Sequence, residues 1–143
     1  MSDLALYGNM PEILRIQNEL RQMPQVHLPV THHMIDGVYV RCMHIPAGTM
    51  LTGKIHKSEN IAILAQGRLR VADANKAVVM EGVRIIIDNP GVKRLGYAET
   101  DVVFITVHKV EGTTIEQIEK ELVADSFEEY EQHLLTQEAK WLS

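Results

Sequence analysis

From Gly37 to Val110 the chain is a succession of short, β-branched runs cut by turn residues, with no helical pattern between them. The runs are Val38 to Ile45, Ile61 to Ala65, Arg68 to Ala72, Ala77 to Met80, Val83 to Ile87 and Val102 to Val110. Pro46-Ala47-Gly48, Gln66-Gly67, Asp73-Ala74-Asn75, Glu81-Gly82 and Asp88-Asn89-Pro90-Gly91 punctuate them. Turns this short connect antiparallel neighbours, whereas a parallel pair needs a long crossover, usually a helix. The pattern predicts a mostly β, antiparallel sandwich or barrel and excludes a parallel α/β sheet.

Helical signals are confined to the two ends. Asn9 is placed to cap a helix with Pro11 in its first turn; Ile13, Ile16, Leu20 and Met23 follow at helical spacing, and Pro24 ends it. Beyond Gly112, Thr114 with Gln117 and Ser126 with Glu129 are capping boxes. Ile115, Ile118 and Leu122 follow the first, and Phe127, Tyr130 and Leu134 the second, so two short C-terminal helices are expected. They would pack on the barrel or on a second subunit. The expected organisation is one domain: an N-terminal helix and lead-in over 1–36, a β-barrel over 37–110, and acidic helices over 111–143. His32-His33 reads as a loop pair ahead of the strands, and His27 and His133 carry no pattern.

At 143 residues and 45% hydrophobic composition the chain can bury a core without staples. Its net charge is −5, and the acidic excess is local. Through Val110 there are 12 basic and 10 acidic residues; from Glu111 onward there are 2 and 9. This balance, with aromatics at 5%, argues against a nucleic-acid polymer or a membrane surface as partner. No apolar run approaches the roughly 18 residues of a membrane span, and Met1-Ser2-Asp3-Leu4 opens without a basic, then apolar, leader. The single cysteine, Cys42, lies mid-strand and reads as a buried inert thiol. The expected location is the cytoplasm.

Walker loops, dinucleotide fingerprints, HExxH, Gly-x-Ser-x-Gly elbows and zinc-finger spacings are all missing. The informative segment runs from Gly48 to Gly67, through Lys54, His56 and Asn60. It resembles the first motif of the cupin superfamily, G-x5-H-x-H-x3-E-x6-G, with both glycines in register. Asn89-Pro90-Gly91-Val92-Lys93-Arg94 resembles the second, P-x-G-x-x-H, with its proline displaced by one. The resemblance implies an RmlC-like jelly roll. The His56-Lys57-Ser58-Glu59 segment and the acidic tail are also similar to the short, degenerate cupins of bacteriophages, which would make the location the host cytoplasm.

In metal-binding cupins two His and a Glu of the first motif meet a His of the second around a divalent ion. The matching positions here are Lys54, His56, Asn60 and Arg94. Lysine and arginine repel such an ion, so no metal and no other cofactor is expected. Lys54 and His56, two apart on a strand, would share a face, and the cupin register would bring Arg94 to them. Two cations, an imidazole and an amide suit a small anion: a phosphorylated sugar, a nucleotide or a carboxylate. Without a ligand, an internal acid should offset the buried cations. Tyr97 and His108 complete the candidate ligand-binding set.

Each of these residues also has a structural reading. Lys54 then sits at a strand end with its head in water, His56 and His108 bond their neighbours, and Tyr97 joins the core. Arg94 pairs with Asp101 or Glu99, and Lys93 points to solvent. Three further functions stand beside anion binding. One is a metal-independent epimerase or isomerase with His56 as general base and Lys54 or Arg94 stabilising an enolate; it lacks a visible Asp to orient His56. Another is a rearranged metal site built on His56 with His44, His108 or Glu59. The last is a scaffold whose terminal helices build a homo-oligomer, most simply a dimer.

Overall fold

The computed structural model describes residues 10–142, with side chains over 10–138. Asn9, the expected helix cap, lies outside the described residues. In chain order the elements are α1 (Met10–Gln22), β1 (Val30–Ile35), β2 (Val38–Ile45), β3 (Met50–Thr52), β4 (Ile55–His56), β5 (Asn60–Gln66), β6 (Arg68–Ala72), β7 (Ala77–Glu81), β8 (Arg84–Asp88), β9 (Leu95–Ala98), β10 (Val102–Lys109), α2 (Ile115–Leu122), β11 (Val123–Ala124) and α3 (Phe127–Leu142).

All strand pairs are antiparallel. One sheet runs β1-β2-β10-β5-β8, a second runs β3-β9-β6-β7, and β11 pairs with β4 alone. The two larger sheets pack face to face through Ile45, Leu64 and Val102 from the first and Leu69, Met80 and Ala98 from the second. The result is a mostly β jelly roll flanked by helices, and its sheets are not closed into one barrel.

Strand alternation decides what lies inside. Ala62 and Leu64 of β5 are buried, so Asn60 shares their face; on β10 Phe104 packs on the core, so Thr106 and His108 follow it. Met43 and Ile45 place Arg41 and Tyr39 on that face of β2, and Ile86 does the same for Asp88 on β8. The inner face is therefore apolar at one end and polar at the other. At the polar end, α2 lays Ile118 and Leu122 on Tyr39 and Val110.

Three local expectations are corrected. His32-His33 lies in β1 rather than a loop, because Gly37, at φ +80°, turns the chain tightly enough to register Ile35 on Val38. The N-terminal helix stops at Gln22, so Met23 adds nothing to its buried stripe. Cys42 is half-buried on the outer face of β2 rather than interior, 3.9 Å from His44 Nε2. Both N-caps form, Thr114 Oγ1 accepting from Gln117 N–H and Ser126 Oγ from Glu129 N–H, while the Gln117 and Glu129 side chains accept from Thr113 and Asp125 N–H, one residue before each cap. The second helix extends over 16 residues.

Candidate functional site

The two motif segments are tied through their main chains. Gly53 N–H donates to Arg94 O and Gly91 N–H to His56 O, each at 3.0 Å. Behind β4, Lys57 N–H donates to Leu122 O at 2.7 Å, fixing the strand to the end of α2. These bonds set where the side chains at 56 and 94 begin.

Asp88 is the centre of what they reach. Its side chain is 7% exposed, Arg94 Nη1 donates to its Oδ1, and His56 Nδ1 lies 3.3 Å from its Oδ2. An ionised carboxylate favours a proton on Nδ1 of a neutral imidazole, which leaves Nε2 as the free basic atom. The His108 ring stands 5.6 Å from that of His56, and beyond it Tyr39 stacks at 5.9 Å. His108 Nε2 is 2.9 Å from Thr106 Oγ1, and His32 Nδ1 is 2.5 Å from the Tyr39 hydroxyl.

Burial dominates the titration of this row. It lowers His56, and the fields of Arg94 and Arg41 lower it further. Burial, then His56 and Arg41, pushes His108 down to about 4. Burial raises Tyr39. At neutral pH both imidazoles are uncharged.

Asn60 registers against Asp88 and is 4% exposed, yet neither its Oδ1 nor its Nδ2 has a partner. Buried amides are normally satisfied, so this is an orphaned pair on the same face. Arg41 is the second unpartnered group. It is half-buried, registers with Thr106, acts on both histidines, and makes no hydrogen bond or ion pair among the described residues.

Thus His56 and Arg94 meet at Asp88, Asn60 registers with it and His108 stands beyond His56, while two expected members lie elsewhere. The Lys54 side chain is 59% exposed and its Nζ is 3.2 Å from Asp125 Oδ1. Strand β4 starts only at Ile55, so the two-residue alternation that would have turned Lys54 inward does not apply. Tyr97 registers with Arg70 and Met50, whereas Gly96 and Ala98 register with the core residues Val71 and Leu69; Tyr97 is on the outer face. Arg94 pairs with Asp88 and not with the expected Glu99 or Asp101. Glu99 holds Arg68 and Arg70, and Asp101 accepts from Ala47 N–H. Lys93, expected in solvent, is 5% exposed.

The residues do not fit the divalent ion that cupin motifs often hold. Arg94 occupies the fourth ligand's position with a fixed cation already bound to Asp88, and Lys54 is outside. His44 is exposed on the outer face of β2, so it cannot join His56 in a rearranged set. Among the described residues no three His, Cys, Asp or Glu side chains are grouped to hold a metal.

Asp88 and Arg41 were not anticipated as site residues. Asp88 read as the first residue of a turn, whereas it ends β8 on the face of Ile86, in register with Asn60. Arg41 had a usable signal: Tyr39, Arg41, Met43 and Ile45 alternate on one face of a single run.

No protein-family model matches the sequence, and no curated protein does either. Solved structures do match the fold. A cupin superfamily protein from Desulfitobacterium hafniense superposes with a TM-score of 0.52 at 5% identity, over 62% of this chain and 83% of its own. A conserved protein with a double-stranded β-helix domain from Klebsiella pneumoniae gives 0.51 at 13%, over 63% and 83%. An RmlC-like cupin with a double-stranded β-helix fold from Methanocaldococcus jannaschii gives 0.50 at 16%, over 58% and 80%. No described helix is long and apolar enough to cross a membrane. The chain has the double-stranded β-helix fold of the cupin superfamily.

Proposed function

We propose that this chain is a metal-free cupin that binds a small anion, a phosphorylated sugar, nucleotide or carboxylate, on the inner face of its five-stranded sheet. Arg41 supplies the cation, and His56, Asn60 and His108 supply hydrogen bonds. One observation carries the reading: Arg41 is a half-buried guanidinium without a partner, while Arg94 is spent on Asp88 and Lys54 on Asp125. An unpaired cation on this face attracts an anion, and a planar guanidinium fork matches carboxylate or phosphate. Thermal unfolding with inorganic phosphate, glucose 6-phosphate, AMP and citrate tests it. A rise in Tm with at least one of them, lost in Arg41→Met, is expected; no rise with any would overturn the reading.

A metal-independent epimerase or isomerase is the second reading, favoured by Asp88 standing 3.3 Å from His56 Nδ1. A carboxylate that fixes the tautomer leaves Nε2 to take a proton α to a carbonyl, and depressed basicity keeps the ring unprotonated at neutral pH. Arg41, rather than Lys54, would face the enolate. Deuterium uptake by substrate from heavy water, absent in His56→Ala, distinguishes turnover from binding alone.

The proposal includes a homodimer working in the cytoplasm, that of a host if the gene is phage-borne. The outer face of β5 and β8 exposes Ile61, Ile85 and Ile87 side by side, and β8 is an edge strand with free backbone groups. A second copy pairing there would cover both.

A further inference from the structure

A cleft of about 360 Å³ opens between α1, β4 and the start of α3, apart from the His56–Asp88 site. That volume is in the range of small-molecule sites. Two buried polar side chains line it without partners. Lys93 is 5% exposed and makes no hydrogen bond or ion pair among the described residues; Gln17 is 8% exposed and its Oε1 is an acceptor with no donor. One group needs an anion or acceptor and the other needs a donor, and they do not satisfy each other.

The surroundings narrow the occupant. Leu14, Ile55 and Phe127 form apolar walls. The 16-residue helix α3 begins at the cleft, so its positive end adds to the field of Lys93. Both signs of charge border the space, Arg21 beside Asp125 and Glu128, and Asp125 is held from outside the cleft by Lys54 at 3.2 Å. Burial, reinforced by Arg21 and Lys54, lowers the proton affinity of Lys93, and Asp125 only partly opposes them. A carboxylate on Lys93 would favour its charged form.

A buried cation, a buried acceptor, mixed charge and apolar walls together match a small zwitterion with an apolar substituent. We infer that this cleft binds an α-amino acid with an apolar side chain. The carboxylate lies on Lys93 near the start of α3, the ammonium donates to Gln17 Oε1 on the side of Glu128, and the side chain rests on Leu14, Ile55 and Phe127. This inference is independent of the anion site on the sheet.

Calorimetric titration of the full chain with L-leucine and L-phenylalanine tests it, beside 4-methylpentanoate, which lacks the amine, and 3-methylbutylamine, which lacks the carboxylate. Expected are saturable binding of at least one amino acid and affinity about tenfold lower or worse for both truncated analogues. Lys93→Met, which keeps bulk and removes charge, should lose about tenfold or more for the amino acid, while Arg41→Met leaves its affinity unchanged. If Lys93→Met does not fold, Gln17→Leu serves: it should weaken leucine and leave 4-methylpentanoate unaffected. No binding of either amino acid at millimolar concentration, equal binding of 4-methylpentanoate, or full affinity in the variant that folds would overturn the inference.

Discussion

His56 Nδ1 and Asp88 Oδ2 stand 3.3 Å apart, and the other oxygen of the same carboxylate belongs to Arg94. One acid thus fixes the proton of an imidazole and neutralises a guanidinium that would otherwise repel it. Asp88→Asn removes both effects and leaves Arg94 half-buried and uncompensated. Breaking such a pair should cost about 3 kcal/mol. Asp88→Asn combined with Arg94→Met should cost less than Asp88→Asn alone, since no charge is stranded. Urea denaturation of the three proteins decides it, and a double variant weaker than the single one would refute the account.

Acid should destabilise the fold before the carboxylates protonate. His108 falls to about 4 when folded and His56 is also lowered, against about 6.5 in the unfolded chain, so the unfolded state binds more protons in that window. Stability is therefore full above pH 6.5 and declines as pH drops toward 4. His108 alone contributes up to about 3 kcal/mol of that decline. Urea midpoints at several pH values should show it, and His108→Gln should flatten the curve.

Asn60 lies buried with both amide atoms unpartnered, a cost that Leu of similar shape does not carry. Asn60→Leu should raise stability by about 1 kcal/mol and abolish any Tm rise produced by an anion. A less stable Asn60→Leu would mean that the amide is satisfied in solution.

Gly67 and Gly48 both take positive φ, at +96° and +84°, but only one is crowded. A Cβ at Gly67 would stand 2.3 Å from Asp101 O, and at Gly48 it would meet nothing within 4 Å. Gly48→Ala should cost about 1 kcal/mol of backbone strain. Gly67→Ala, which must move main chain, should cost about 3 kcal/mol. Equal losses by thermal melting would contradict the crowding argument.

The dimer proposed through β8 has a direct check. Ile85 and Ile87 are 66% and 68% exposed on an edge strand, and a charge at either cannot be desolvated cheaply. Light scattering should give a dimer for the native chain and a monomer for Ile85→Lys with Ile87→Glu. Unchanged mass would move the interface elsewhere.

Features written in local sequence were readable. The strand runs from Val38 to Val110 and the N-caps at Thr114 and Ser126 depend on neighbours a few residues away, and they form. His56 and Arg94 reach one place because Gly53 and Gly91 tie the two motif segments together through main-chain bonds. What could not be read was set by pairing between distant strands. Asp88 reads as a turn residue and is instead the end of β8, in register with Asn60. Strand β1 is polar at Thr31, His32 and His33, half its length, and is held by its pairing with β2. Lys54 misled because its strand is two residues long, too short for alternation to hold.

The main-chain bonds from Gly53 to Arg94 and from Gly91 to His56 use no side-chain atom. The framework that spaces positions 56 and 94 is thus indifferent to what those positions carry. Changing the side chains there rewrites the chemistry without dismantling the scaffold, which is how the architecture accommodates an aspartate hub between its two motif segments.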